Sequence, residues 1–227
     1  MASRPDERQP YKDRRHAGVE LATRLADKFA GRHDVIVLAL PRGGVPVAYE
    51  VARALGAPLD IFLVRKLGVP EHPELAMGAI ASGGVRVLND DVVSWYRVPP
   101  SVIDQVAQQE QAELERRERL YRDGHTALEI SGRIVILVDD GLATGSTMKA
   151  AVQAVRAHAP SRIVVAVPVG SPDTCQEFAE LADEIMCARA PQVFFAVGQW
   201  YLDFSQTTDD EVRELLHRVP EAMSKGH

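Results

Sequence analysis

A chain of 227 residues with 46% hydrophobic and 26% charged content can bury a sizeable core and has the composition of a soluble globular protein. The formal net charge of −6 argues weakly against a nucleic-acid binder, and no apolar stretch approaches the roughly 20 residues needed to span a bilayer. Cys175 and Cys187 lack metal-ligand spacing and read as buried reduced thiols, and the N-terminus lacks a signal-peptide core, so the expected location is cytoplasmic.

Residues 1–10 are polar and proline-containing and are expected to be loose. Between 11 and 30, Ala17, Leu21, Leu25 and Phe29 lie close to i, i+4 spacing, which predicts an amphipathic helix ended by Gly31. Residues 34–40 form an apolar run of the kind a buried strand shows, and they lead into Pro41-Arg42-Gly43-Gly44 and a helix over 45–55. A further strand is predicted over 58–64. Strand, glycine-containing turn and helix in alternation predict a parallel sheet covered on both faces, an α/β fold with three layers.

Two cationic stretches follow from this order. Glycines at 43 and 44 let backbone amides approach an anion, and Arg42 offers a fork of donors; the alternative is a tight turn with a solvated Arg. Arg65 and Lys66 stand directly after the predicted strand, at the carboxyl end where α/β sheets bind ligands, or else as a charged strand end facing water. Residues 67–75 hold two prolines and a glycine and read as a loop. Residues 81–84 read as a hairpin turn into a strand over 85–88.

Residues 90–122 depart from a minimal α/β pattern and read as a helical insertion. A short helix is broken at Pro99-Pro100, and Ser101 is placed to cap a second helix whose Glu-Arg-rich face suits solvent. The segment bears on substrate choice or on oligomer contacts in this reading.

The chain is organised around residues 133–148. Ile134 to Val138 predict a buried strand, Asp139 and Asp140 stand at its end, and a loop of small and hydroxyl residues leads to a helix from Ser146. Backbone amides at the helix start, with the hydroxyls of Thr144, Ser146 and Thr147, can surround a phosphate. The two carboxylates repel a phosphate but accept hydrogen bonds from sugar hydroxyls. The stretch therefore asks for a ligand with a phosphate at one end and a diol close by. No Lys follows Gly145, so it is not a Walker A loop, and the glycine spacing is wrong for a dinucleotide fingerprint.

Further strands are predicted over 162–167 and 183–188, with a helix over 173–182 between them. Residues 191–227 add a stretch rich in aromatics (Phe194, Phe195, Trp200, Tyr201 and Phe204, with Gln199 and Asp203 among them) and a terminal helix over 209–218. Such aromatics either stack on a planar ligand or pack the terminal helix onto the sheet.

The run Val138-Asp139-Asp140-Gly141-Leu142-Ala143-Thr144-Gly145-Ser146-Thr147 resembles the phosphoribosyl pyrophosphate (PRPP) signature of type I phosphoribosyltransferases. The resemblance covers about 34–188 and implies a single phosphoribosyltransferase-like domain, with 191–227 as a small C-terminal hood and terminal helix. It implies a Mg²⁺–PRPP donor and pyrophosphate as leaving group. Asp139 and Asp140 would bind the ribose hydroxyls, with any metal contact through PRPP or these two acids. Ala143, Thr144, Gly145, Ser146 and Thr147 would hold the 5′-phosphate. Arg42, Gly43 and Gly44 would hold pyrophosphate, assisted by Arg65 and Lys66, so that Arg42, Lys66, Asp139 and Asp140 carry the catalysis. The loop at 67–75 matches the family's mobile loop in order. Phe195, Trp200, Tyr201 and Asp203 would meet the acceptor under the hood.

Some members of the resembled family carry an acid where this chain has Ala143, and there it deprotonates the incoming base. Here the general base must come from elsewhere, Asp203 or Glu74 being candidates, and the acceptor stays unidentified. The expected function is transfer of a phosphoribosyl group to a nitrogenous base or similar nucleophile. A PRPP- or nucleotide-binding regulator with little turnover, or a protein for another phosphate ligand, is the alternative. A homodimer would suit the resembled family.

Overall fold

The structure, a computed structural model, describes residues 9–218. The expectation of a loose start and of a hood running to 227 falls partly on residues 1–8 and 219–227, which lie outside the described residues. Gln9 and Pro10 are held: the Gln9 carbonyl accepts from Arg189, and Tyr11 beyond them is fully buried.

The chain builds a five-stranded sheet in which every neighbouring pair runs parallel. Helix α1 (Arg14–Phe29) leads to strand β1 (Val35–Ala39), helix α2 (Gly44–Leu55) and the short β2 (Leu59–Ile61). Strands β3 (Val64–Val69), β4 (His72–Ala81) and β5 (Val85–Leu88) form a separate antiparallel sheet, followed by α3 (Asp90–Trp95) and α4 (Pro100–Arg122). The main sheet resumes with β6 (Ile134–Val138), α5 (Ser146–Ala157), β7 (Arg162–Val169), α6 (Pro172–Leu181) and β8 (Glu184–Arg189), and α7 (Asp209–Arg218) closes the described chain. Every residue of β1 and β6 is buried, as their unbroken apolar runs require when helices cover both faces. Leu21, Leu25 and Phe29 of α1 pack with α2 on one face; Met148, Ala151 and Val155 of α5 pack with Phe178 of α6 on the other.

The strand order is β2-β1-β6-β7-β8. From β1 the chain goes one way to β2, and it returns on the other side to β6. Ligands in open α/β sheets bind at such a reversal, in the crevice beyond the carboxyl ends of the strands. Registers Leu38↔Leu137 and Ala39↔Val138 bring the turn at 41–44 beside the loop at 139–147, so both phosphate-binding candidates open at that crevice.

Three expectations are corrected. The strand over 58–64 is two pieces: β2 ends at Ile61 and Val64 starts the second sheet, so Arg65 and Lys66 lie within β3 instead of at a carboxyl end of the main sheet. The loop over 67–75 is largely the β3–β4 hairpin. Its alternation is masked by Gly68, Pro70 and Pro73, but Leu67 and Val69 both turn inward, against a core that α4 shares. Helix α4 starts at Pro100 with Pro99 as its cap residue, not Ser101, and its solvated face is only half of it: Ile103, Ala107, Leu114 and Tyr121 are buried.

The cysteines are also corrected. Cys175 on α6 and Cys187 on β8 form a disulfide; strand β8 runs alongside the segment that precedes α6, and this brings the two together. Closing a loop of 12 residues in the unfolded chain stabilises by about 2–3 kcal/mol. Cys175→Ser is therefore expected to lower the melting temperature by several degrees in calorimetry. The wild type in excess reductant should melt with the variant; a wild-type melt indifferent to reductant would show that the bridge does not form. Among the described residues, no helix is long and apolar enough to cross a membrane.

Candidate functional site

Asp139 and Asp140 leave the buried end of β6 and are themselves largely removed from water. The Asp140 amide donates to Asp139 Oδ1 at 2.8 Å, and Arg14 Nε donates to Asp140 Oδ2 at 2.8 Å. Burial pushes the Asp139 carboxyl well above the usual carboxylate range, and the neighbouring Asp140 charge adds to this. Burial also raises Asp140, against the pull of the Arg14 guanidinium. Two acids kept close at low dielectric are poised to accept hydrogen bonds from neutral hydroxyls, and they are costly to the fold when both are ionised.

That cost gives a measurable sign. A group whose pKa is raised on folding stabilises the folded state while protonated, below its unfolded pKa near 4, and the contribution is lost as pH rises through the folded value. Asp139→Asn keeps an oxygen for the Asp140 amide and removes the charge. It is expected to raise the melting temperature by a few degrees at pH 8, on the order of 1 kcal/mol, with the gain shrinking toward pH 4. Calorimetry at several pH values checks this; a gain that grew on acidification would overturn it.

The turn at 41–44 lies against the acids. A methyl group on Gly44 would fall 2.7 Å from the Val138 carbonyl oxygen, so glycine is needed there for the two loops to meet, while one on Gly43 would displace the Asp140 carboxylate. The Pro41–Arg42 peptide is cis. The Arg42 side chain reaches away toward Asp209, 3.5 Å from Oδ1, an oxygen that also accepts from Tyr121 at 2.7 Å.

Loop 143–147 is shaped from below by α6. Thr174 Oγ1 donates to the Ala143 carbonyl at 2.7 Å and accepts from Ser171 Oγ, while Phe178 packs under Gly145. Gly145 takes φ +69°, and no side chain caps the start of α5 there. The first amides of α5 therefore point outward beside the Thr144 and Ser146 hydroxyls, themselves 3.2 Å apart, which is the geometry that receives a phosphate.

Lys66 donates to the Glu74 carbonyl at 3.2 Å and lines a cavity of about 650 Å³ that also reaches Ser146 and Thr147. Arg65 is engaged elsewhere, 2.6 Å from Glu110 on α4. Of the hood residues, Phe195 stands 85% exposed and Trp200 is half-buried. Tyr201 is only 6% exposed, and its hydroxyl donates to the Asp140 carbonyl, so it supports the acidic loop from within. Asp203 is exposed and accepts from the Ser205 amide, which holds its carboxyl below the usual range and makes it a weaker base.

Sequence reasoning missed Arg14, Tyr11, Thr174 and Phe178. The backbone of Tyr11 and Lys12 bonds to residues 200, 202 and 203, fastening the hood to the start of α1. These contacts join residues more than a hundred positions apart, and no local pattern announces them. Thr174 and Phe178 carried only a helix signal. Among the described residues, no group of three or more His, Cys, Asp or Glu side chains is placed to hold a metal.

A family model described as a phosphoribosyl transferase domain matches residues 12–203. A Mycobacterium tuberculosis protein, provisionally named a phosphoribosyl transferase, is 52% identical over 209 residues, covering 92% of this chain and 47% of that protein. The chain thus spans about half the length of the curated relatives it matches. The bifunctional protein PyrR of Roseiflexus is 27% identical over 156 residues, 68% of this chain and 66% of its own. Among solved structures, TT1426 from Thermus thermophilus is similar at a TM-score of 0.81 and 44% identity, over 92% of this chain and 98% of that one.

Proposed function

The chain belongs to the phosphoribosyl transferase family, and from that premise we propose that it transfers the 5-phosphoribosyl group of PRPP to a nitrogen nucleophile and releases pyrophosphate. The observation that carries this reading is the meeting of loops 41–44 and 139–147 at the reversal of strand order, with a buried acid pair between an uncapped helix start and a glycine turn. Family membership does not favour the alternative of a regulator without turnover.

In this reading the amides and hydroxyls of 143–147 hold the 5′-phosphate, and Asp139 and Asp140 accept hydrogen bonds from the ribose hydroxyls. Gly43 and Gly44 offer backbone to the pyrophosphate. Arg42 exchanges its long contact with Asp209 for a phosphate oxygen, Lys66 reaches in from β3, and Arg65 joins only by leaving Glu110. Mg²⁺ would be held through the donor or by Asp139 and Asp140, and would supply positive charge to the leaving group. The bond from the anomeric carbon to the pyrophosphate oxygen breaks as the bond to the acceptor nitrogen forms, and the acceptor's proton passes to a base. Catalysis then rests on positioning and on stabilising the departing charge. The hairpin β3–β4 faces the start of α5 across the 650 Å³ cavity, and its closing on Ser146 and Thr147 would help exclude water from the donor.

Phe195 is the most exposed of the hood aromatics and the freest to stack on a planar acceptor, whereas Trp200 packs against the Tyr11 and Tyr201 cluster and Tyr201 acts through the Asp140 backbone. Asp203, held below the usual range, is a weak proton acceptor. A cytoplasmic setting and a homodimer are part of the same proposal.

The test is calorimetric titration of PRPP with Mg²⁺, followed by a screen of nitrogenous bases for pyrophosphate release. Donor binding with release dependent on one class of base is expected. Absence of PRPP binding would remove the proposal.

A further inference from the structure

The Arg14 guanidinium lies where four segments meet. Its Nε donates to Asp140 Oδ2 at 2.8 Å and its Nη1 donates to the Ser205 carbonyl at 2.7 Å. Its plane sits 4.1 Å from the centre of the Phe204 ring. Gly43 closes the box from the β1 side, since a methyl group there would lie 3.3 Å from Arg14 Nε. Asp13 accepts from the His16 amide at 2.7 Å and caps α1, which fixes the point from which Arg14 projects. Arg14 and Asp140 are only 11% and 15% exposed, a setting in which a charge-assisted hydrogen bond holds one geometry.

We propose that Arg14 is a positioning residue for recognition of a vicinal diol, acting through Asp140; this rests on the ribose-binding role of the acids given above. Asp140 Oδ2 is occupied by Arg14, and Asp139 Oδ1 by the Asp140 amide. The other oxygen of each acid carries no hydrogen bond among the described residues, and the proposal assigns those two oxygens to two adjacent hydroxyls. Without the guanidinium, repulsion from Asp139 turns the Asp140 carboxylate out of that arrangement. The same side chain grips Ser205 and Phe204, so the hood is held against the diol site by the residue that orients it. The pair then selects ribose over 2-deoxyribose phosphates.

The experiment compares wild type, Arg14→Met, Arg14→Lys and Asp140→Asn, alone and combined, by calorimetric titration. The probes are ribose 5-phosphate, 2-deoxyribose 5-phosphate and inorganic phosphate. Arg14→Met should bind ribose 5-phosphate at least about tenfold more weakly, the effect of misplacing one charge-assisted hydrogen bond. It should bind inorganic phosphate, which occupies only loop 143–147, as the wild type does. Its preference for ribose over 2-deoxyribose should shrink, and Arg14→Lys should recover part of both. In the Asp140→Asn background Arg14→Met should change ribose 5-phosphate affinity by less than about twofold, because the partner it works through is gone. Equal loss of all three probes, or an undiminished effect in that background, overturns the proposal. If Arg14→Met does not fold, Arg14→Lys carries the same comparison. A wild type that binds neither PRPP nor ribose 5-phosphate instead removes the underlying functional reading.

Discussion

Replacing Asp139 and Asp140 together by asparagine is expected to lower phosphoribosyl transfer by roughly 10²- to 10⁴-fold. Each carboxylate is assigned one hydrogen bond to a ribose hydroxyl, and hydrogen bonds to charged groups contribute about 1.5–3 kcal/mol each, against about 1.4 kcal/mol per tenfold in rate. Asparagine keeps the shape and an acceptor oxygen, so the loss measures charge, not packing. Relief of the repulsion between two buried carboxylates offsets the loss of Arg14's ionic partner, and asparagine still accepts from Arg14, so the fold should hardly suffer. The double variant should therefore be nearly inactive and melt no lower than the wild type at pH 8. Steady-state kinetics and calorimetry on the same preparation decide it. An inactive variant with a lowered melting temperature would point to a structural role, and an active one would remove these residues from the site.

Gly145→Ala is expected to fail in the opposite manner, losing both stability and donor binding. Gly145 sits at φ +69°, where a side chain costs about 1–2 kcal/mol. Its new methyl would also lie 2.5 Å from Phe178, a fully buried ring that has nowhere to go, and overpacking of that kind costs about 1–3 kcal/mol more. The sum corresponds to a fall in melting temperature of very roughly 5–15 °C for a chain of this size. The amides at the start of α5 move with the loop, and a displacement near 1 Å at a positioning element costs about 100-fold. Titration with inorganic phosphate isolates that effect from the ribose contacts. Unchanged phosphate affinity would show that the amides of 143–147 do not hold the phosphate.

The parallel sheet was legible because its strands are buried on both faces: residues 35–39 and 134–138 are continuous apolar runs, and each ends in a loop whose chemistry differs from the run before it. Acids, small residues and hydroxyls between a strand and a helix are a local pattern, so Asp139 to Thr147 could be assigned a phosphate and a diol from neighbours in the chain. The hairpin β3–β4 was not legible, since Gly68, Pro70 and Pro73 carry loop signals that pairing with β4 and packing near α4 override. Pairing is a property of two segments, and neither shows it alone.

The sequence by itself determined the layered α/β architecture, the order of its central elements and the run of acids, small residues and hydroxyls that follows β6. These depend on periodicity and on runs of a few residues, where the chain's own geometry sets what is near. Only the tertiary structure decided that Arg14 completes Asp140, that Tyr201 supports the acidic loop from within, that Arg65 is taken by Glu110, and that Cys175 meets Cys187. Arg14 and Asp140 stand 126 positions apart and meet because α1 and the loop after β6 open at the same crevice. Proximity of that kind is created by packing the helices on the sheet, and no spacing along the chain encodes it.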